Sequence, residues 1–180
     1  INFIKKNENE RFLVFGFTFI IWEKFLNALN KKKLKINMSK GILLHGGGWK
    51  KLTDLKINND KFKKNIMNFS NINKIINYYG MIEQTGSIFF ECEYSYYHTS
   101  IYTDIIIRDE YFNSCSVGEK GLIQCISLIP TSYPGNSILT EDIGFIVGED
   151  DCKCGRMGKY FKVEGRVKNA ELRGCGDINR

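Results

Sequence analysis

The sequence predicts an α/β fold in which a parallel-sheet βαβαβ segment is followed by a β-rich subdomain. Three short apolar runs, at residues 12–15, 41–44 and 75–79, alternate with two stretches of helical periodicity. Such alternation is typical of parallel strands joined by right-handed crossovers. After Ile88 the apolar runs are separated only by turn signals, which predicts antiparallel strands instead.

The two helices are predicted from apolar positions that recur every three or four residues. Gly16 ends the first strand in a turn, and the first helix runs from Phe17 into the lysine-rich stretch 31–35. The second helix begins near Asn59 or Asp60. The apolar stripe of the first is Ile20, Ile21, Trp22, Phe25, Leu26 and Leu29, and that of the second is Phe62, Ile66 and Phe69.

The β-rich half contains four predicted strands, a loop with proline and glycine, and a tight turn rich in cysteine and glycine. We divide the chain into an α/β part (1–87), a β-rich part (88–148) and a terminal segment with a Cys-x-Cys hairpin (149–180). The strands are residues 101–108, 121–128, 143–147 and 159–163, the loop is 133–136, and the turn is 152–158.

Composition excludes several classes of protein. The net charge of +6 comes largely from lysines among Asn- and Ile-rich sequence without interleaved arginine and aromatic residues, so no nucleic-acid partner is predicted. The longest apolar run, residues 12–22, is shorter than a membrane-spanning helix, so no membrane insertion is predicted. Six cysteines without a secretory signal favour reduced thiols or metal ligands in a cytoplasmic protein. Because the chain begins at Ile1, an amino-terminal part is expected to precede it.

Two glycine-containing loops follow predicted parallel strands, at Gly46-Gly47-Gly48 and at residues 80–86. Ligands of open α/β sheets bind at the carboxyl ends of strands, where both loops are expected. Successive glycines let the backbone approach a flat or anionic ligand, although a plain tight turn explains them equally well. The spacing is not that of a Walker loop.

Four side chains in the sequence suit nucleotide chemistry. Tyr79, which precedes Gly80, offers a ring that can stack on a base, and Glu83 can hold Mg²⁺ together with substrate phosphates. Alternatively, Glu83 caps the segment after it. Asp142 can accept ribose hydroxyl hydrogen bonds, and Arg166, which like Arg156 follows a glycine, can bind phosphate or ribose.

Cysteines supply two further candidates. Cys92, His98, Cys152 and Cys154 are suitable ligands for a structural, tetrahedral zinc ion, but the C-x-C spacing leaves unligated residues as an equal alternative. Cys175 stands between two glycines near Arg173, which favours an accessible thiolate nucleophile, whereas an incidental exposed cysteine is the simpler reading.

Several motifs together resemble the long-chain acyl-protein synthetase family of the LuxE type, over nearly the whole chain. The wider superfamily of adenylate-forming enzymes is visible in the segment 79–83, and the Cys-x-Cys-Gly-Arg element resembles phenylacetate–CoA ligases. The family motifs are residues 16–19, 46–50, 131–134, 140–144 and 168–175.

The resemblance implies that a fatty acid and ATP give acyl-adenylate and pyrophosphate, and that the acyl group then moves to a cysteine and on to a partner acyl reductase. It implies that Gly46 to Gly48 line the adenine pocket and that Tyr79 stacks on the adenine. Glu83 would hold Mg²⁺, and Asp142 and Arg166 the ribose. Cys175 matches the acyl-acceptor cysteine, and a structural zinc remains the optional second metal.

The sequence departs from the pattern at several points. Ile82 replaces the usual threonine, and Lys168-Asn169 stands where an acidic hinge is expected. The phosphate loop and the carboxy-terminal lid with its catalytic lysine are absent, so this piece is expected to be inactive alone. Two alternatives stay open: an acyl- or aryl-CoA ligase, and a non-catalytic zinc-stabilised interaction module.

Overall fold

The computed structural model describes residues 2–7, 9–48 and 57–167 of the chain. Residues 1–77 and 78–180 form two compact units. The boundary falls within strand β3 (Lys74–Gly80), because the last residues of this strand pair with β4 (Ile88–Glu91) in the second unit. The functional division at 87/88 and 148/149 is a different partition and remains a prediction.

The first unit is built on two parallel strands, β1 (Phe12–Phe17) and β2 (Gly41–Gly46), which pair from Phe12↔Gly41 to Phe17↔Gly46. A short helix α1 (Asn2–Lys6) precedes them. Helix α2 connects them and consists of Thr18–Ile20, a π-helical turn at Ile21–Leu26, and Asn27–Lys31. The parallel pairing through an intervening helix confirms the predicted crossover.

Gly16 does not end the first strand as predicted, because it pairs with His45 inside the ladder. Its missing side chain serves a different purpose. A Cβ there would lie 3.2 Å from the Ile21 side chain, so the glycine lets α2 fold back closely over the strand.

Helix α3 (Asn59–Ser70) has conventional ends. The Asn58 side chain accepts a hydrogen bond from the Lys61 N–H at 2.9 Å, and Asn71 ends the helix in the left-handed conformation. Phe62 and Ile66 are fully buried, which confirms two of its predicted core positions. They join the first unit's core, whose other buried members are Ile21, Leu26, Met38, Leu43, Ile57 and Ile72.

In the second unit the strands pair antiparallel throughout the described residues, which confirms the predicted β-rich half. The strands after β4 are β5 (Tyr97–His98), β6 (Thr103–Arg108), β7 (Gly121–Ser127), β8 (Ser137–Glu149) and β9 (Lys159–Arg166). Their order in the sheet is β3-β4-β5-β9-β8-β7-β6. Strands β4 and β5 were not predicted, and β8 is far longer than the predicted 143–147. The core consists of Phe89, Ile105, Ile107, Ile123, Cys125, Ile146 and Phe161.

Candidate functional site

The structure brings together three of the predicted nucleotide-binding residues in the second unit. Tyr79 Oη donates a hydrogen bond to Asp142 Oδ2 at 2.7 Å. The other carboxylate oxygen of Asp142, Oδ1, lies 3.5 Å from Arg166 Nε. Asp142 and Arg166 are directly opposite each other in the β8–β9 ladder. A predicted base-stacking residue and two predicted ribose-binding residues thus form one group, the Tyr79–Asp142–Arg166 cluster.

Hydrogen bonds with neighbouring residues hold the Asp142 carboxylate and its backbone in place. Arg166 Nη2 also donates to Glu141 Oε2 at 2.7 Å, so the guanidinium bridges two adjacent carboxylates. The backbone N–H of Asp142 donates to Thr140 Oγ1 at 3.1 Å, and the Thr140 hydroxyl donates to the Ile123 carbonyl oxygen at 2.8 Å. An ionised carboxylate has about four acceptor positions, so Asp142 keeps capacity for ligand hydroxyl groups.

The Tyr79 ring lies in an aromatic group with Phe89, Tyr97 and Phe161, each with its ring centroid 6.1 Å away. Burial, reinforced by the Asp142 charge, raises the pKa of Tyr79, so the phenol stays protonated and donates to the carboxylate. Burial and the same charge raise the pKa of the Cys125 thiol to about 12. The Tyr79 phenol and the Cys125 thiol are therefore both neutral beside the Asp142 carboxylate.

Gly80 is the last residue of β3, and Glu83 lies in the connection from β3 to β4. Gly80 pairs with Ile88, and a Cβ at Gly80 would lie 3.0 Å from the Ser87 carbonyl oxygen, so close strand packing explains this glycine. Glu83 is exposed on a single helical turn, Ile82–Gln84. Within the described part of the chain its carboxylate has no ion pair, and its Mg²⁺ role remains a prediction.

Sequence reasoning missed the residue that anchors this connection. Gln84 is buried, and its Nε2 donates to the carbonyl oxygens of Gly135 at 2.8 Å and Cys125 at 3.2 Å. Beside it, the Thr85 N–H donates to Tyr133 Oη at 3.0 Å. The loop that carries Glu83 is therefore tied to the Tyr133–Gly135 loop. The only signal in the sequence was the position of Gln84 directly after Glu83.

The glycine turn Gly46–Gly48 belongs to the first unit. Gly47 and Gly48 adopt the left-handed conformation, with φ of 79° and 60°. A Cβ on Gly47 would lie 2.9 Å from a Phe17 ring atom, whereas a Cβ on Gly48 would meet no described atom within 4 Å. Among the described residues the space beside Gly48 is therefore open, and the adenine-binding role of the three glycines remains a prediction.

A buried hydrogen-bond network beside this turn was also missed. The Thr18 hydroxyl donates to the Gly46 carbonyl oxygen at 3.0 Å and lies 2.9 Å from His45 Nδ1. Because that hydroxyl has a single proton, Nδ1 must donate to it. His45 Nε2 is then an unprotonated acceptor, buried and without a hydrogen-bond partner among the described residues. Burial, with the nearby Lys63 charge, lowers the pKa of His45 to about 3.

Acid should therefore destabilise the protein through His45. Unfolded His45 takes up a proton below about pH 6.5 and folded His45 only near pH 3, so its contribution to the free energy of unfolding is present above pH 6.5 and is lost as the pH falls toward 3. Between pH 6.5 and 5 we expect a loss of about 2 kcal/mol, measured by urea unfolding.

The control is His45→Asn, whose amide retains a donor near the position of Nδ1 but does not titrate. We expect it to remove this part of the pH dependence. His98 is unchanged in both proteins, so the difference between the two profiles isolates His45. Identical slopes in the two proteins would show that His45 is not the titrating group.

The predicted metal ligands also converge. Cys92 follows β4, His98 lies in β5, and Cys152 and Cys154 lie in the turn between β8 and β9; one ligand atom from each lies within 4.8 Å of all the others. Burial lowers the pKa of His98, so the imidazole is neutral. Desolvation opposes ionisation of Cys154, but hydrogen bonds from the Arg156 N–H and neighbouring thiols lower its pKa. Arg156 thus lies beside this group.

The acyl-acceptor candidate Cys175 lies outside the described residues. Among the residues that the structure describes, no helix is long and apolar enough to cross a membrane.

Several solved structures of ligases and of adenylate-bound proteins have a similar fold. The 2-hydroxyisobutyryl-CoA ligase in complex with 2-HIB-AMP and CoA matches with a TM-score of 0.68 and 16% identity over 87% of this chain and 34% of that one. A long-chain-fatty-acid-CoA ligase from Archaeoglobus fulgidus matches with a TM-score of 0.61 and 13% identity over 91% and 35%. McyG A-PCP complexed with phenylalanyl-adenylate matches with a TM-score of 0.59 and 18% identity over 93% and 32%.

The fold is therefore that of the adenylate-forming ligases, and the chain spans about a third of the length of these structures. The model of the LuxE acyl-protein synthetase family matches residues 2–180. The chain belongs to this family, which confirms the resemblance drawn from its motifs. No curated protein matches the sequence.

Proposed function

We propose that the whole protein activates a long-chain fatty acid with ATP as acyl-adenylate and transfers the acyl group to a protein cysteine, from which a partner acyl reductase takes it. Membership of the LuxE family supports this reaction. The observation that carries it is the Asp142 carboxylate, which is held between the Tyr79 hydroxyl and the Arg166 guanidinium. That arrangement suits a ligand with a sugar hydroxyl beside an aromatic base.

The chemistry has two steps. A fatty-acid carboxylate oxygen attacks the α-phosphorus of ATP, and the bond to pyrophosphate breaks, which leaves acyl-AMP. A cysteine thiolate then attacks the acyl carbonyl carbon, and AMP leaves with the electron pair of the broken C–O bond. Mg²⁺ would offset charge on the phosphates, and Glu83 is the proposed protein ligand for it. Asp142 and Arg166 would hold the ribose, and Tyr79 would stack on the base.

Pyrophosphate exchange into ATP tests the adenylation step directly. The full-length gene product is assayed with a panel of fatty and aryl acids. Exchange that requires a long-chain acid supports the proposal. A folded protein that catalyses no exchange with any acid would contradict it and favour a non-catalytic module.

The acceptor is tested separately by Cys175→Ser. We expect this variant to retain pyrophosphate exchange and to lose covalent labelling by radioactive fatty acid, because a serine hydroxyl at neutral pH is a far weaker nucleophile than a thiolate. Cys115→Ser is the matched control and should label normally, since Cys115 lies outside the metal-ligand group and the Tyr79–Asp142–Arg166 cluster. Labelling that persists in Cys175→Ser would remove this residue from the mechanism.

A second candidate function is an acyl- or aryl-CoA ligase, favoured by the presence of CoA ligases among the similar folds. In that reaction the CoA thiol replaces the protein cysteine as the nucleophile. Rapid turnover that needs CoA, with Cys175 dispensable, would support this alternative.

A further inference from the structure

The four-residue group Cys92, His98, Cys152 and Cys154, here called the Cys₃His cluster, has the dimensions of a tetrahedral metal site. His98 Nε2 lies 3.4 Å from Cys154 Sγ. With Zn–S of about 2.3 Å and Zn–N of about 2.0 Å, nitrogen and sulfur ligands of a tetrahedral zinc lie about 3.5 Å apart. All four ligand atoms lie within 4.8 Å of one another, so small side-chain movements would complete the geometry.

The turn that carries two ligands of the Cys₃His cluster, Cys152 and Cys154, is held in shape by its own backbone. Cys152 and Cys154 lie in one short turn, and each offers a sulfur atom within 4.8 Å of the ligand atoms of Cys92 and His98. Gly155, in the left-handed conformation, closes this turn through its N–H bond to the Cys152 carbonyl oxygen at 2.9 Å. A turn held in this way orients its two cysteines as metal ligands.

Burial distinguishes a structural site from a catalytic one. Cys92, Cys152 and His98 are buried, and the Tyr160 ring stacks on the imidazole with a centroid distance of 5.6 Å and an interplanar angle of 18°. Three sulfurs and one imidazole fill all four positions of a tetrahedral ion, so none remains for water or substrate. The ligand set selects a borderline or soft cation and excludes Mg²⁺.

We propose that the Cys₃His cluster binds one Zn²⁺ ion, which clamps the strands that carry Tyr79 to the strands that carry Asp142 and Arg166. Its position supports this role. Strand β5 has only two residues, and it pairs with β4 through two residue pairs and with β9 through two more. In the strand order β3-β4-β5-β9-β8, this short strand is the link between β3, with Tyr79, and β8–β9.

The ligands lie in that short strand and on both sides of it. Cys92 follows β4, His98 belongs to β5, and Cys152 and Cys154 come from the turn between β8 and β9. A metal ion would therefore add a cross-link where the backbone ladder is weakest. This second part of the proposal rests on the proposed function, because it assigns the two sets of strands to one nucleotide site.

Metal analysis of the full-length protein tests the site itself. We expect one zinc per chain in the purified protein, its loss in Cys154→Ser, and its retention in Cys115→Ser, the thiol control. Cobalt exchanged for zinc should give the sulfur-to-cobalt charge-transfer absorption and the visible bands of a tetrahedral site. Protein that purifies without zinc and gives no such cobalt spectrum would overturn the metal site.

Chelation tests the clamp on the wild-type protein, so a variant that fails to fold does not obscure the result. Removal of zinc should lower the midpoint of thermal unfolding and raise the KM for ATP in pyrophosphate exchange by roughly tenfold, with kcat changed less, because the ATP-binding groups lose their alignment. Added zinc should restore both. If the metal leaves and neither quantity changes, the clamp is wrong.

The proposed function and the zinc site can fail independently. A protein with one zinc per chain and a chelation-dependent unfolding midpoint, but without exchange for any acid, would retain the metal site and lose the adenylation proposal. Pyrophosphate exchange by a protein that purifies without zinc would retain the adenylation proposal and remove the zinc site.

Discussion

Asp142→Asn is expected to lower kcat/KM for ATP in pyrophosphate exchange by about a hundredfold, because hydrogen bonds to a charged group contribute about 1.5–3 kcal/mol each. Asparagine retains the shape but loses the charge and half of the acceptor capacity. The asparagine oxygen can still accept the Tyr79 hydroxyl, which now donates to Asp142 Oδ2 at 2.7 Å. The loss should therefore fall on ribose binding rather than on folding, measured as exchange rates at varied ATP with urea unfolding alongside.

Glu141→Gln is the matched control for this variant. Glu141 is the adjacent residue, makes the same type of contact with the same Arg166, and undergoes the same carboxylate-to-amide change. Its side chain is 58% exposed, against 23% for Asp142. We expect the control to stay within about threefold of wild type, since exposed ion pairs contribute little. Equal losses in both variants would mean that the carboxylates act only by positioning Arg166.

The sequence was sufficient to predict the residues of the Tyr79–Asp142–Arg166 cluster but not their contacts. Asp142 and Arg166 face each other only through the β8–β9 register, which shifts between Ile143 and Gly144 and again between Ile146 and Gly148. A shift of one residue moves a side chain to the opposite face of a sheet. No residue pattern in the sequence predicts these register shifts, so the pairing of Asp142 with Arg166 could not be derived from strand periodicity.

For the Cys₃His cluster, too, the sequence supplied the residues but could not show that they meet. Its C-x-C spacing left zinc and unligated cysteines equally plausible, because the four residues are split between distant segments. Their convergence depends on the two-residue strand β5, which is too short for any periodicity to predict. The hydrogen bond between Thr18 and His45 was missed for a related reason. The two residues are 27 positions apart in the sequence, and the parallel pairing of β1 with β2 brings them together.

Glu83→Gln is expected to reduce pyrophosphate exchange by about a hundredfold at limiting Mg²⁺, because loss of a carboxylate ligand weakens the ion that offsets phosphate charge. The structure makes this variant unusually informative. Glu83 is exposed, and its carboxylate has no ion pair within the described residues, so its removal should change the free energy of unfolding by less than about 0.5 kcal/mol. A loss of activity would then reflect chemistry rather than stability.

Magnesium titration distinguishes a metal ligand from a residue that only caps its segment. If Glu83 holds Mg²⁺, the variant should need a higher Mg²⁺ concentration for half-maximal exchange, and saturating Mg²⁺ should recover part of the rate. Glu110→Gln is the control, since Glu110 is an exposed glutamate of the same unit, remote in sequence from the β3–β4 connection. An unchanged Mg²⁺ requirement in Glu83→Gln would leave helix-turn capping as its role, and the magnesium ligand would then have to come from elsewhere in the protein.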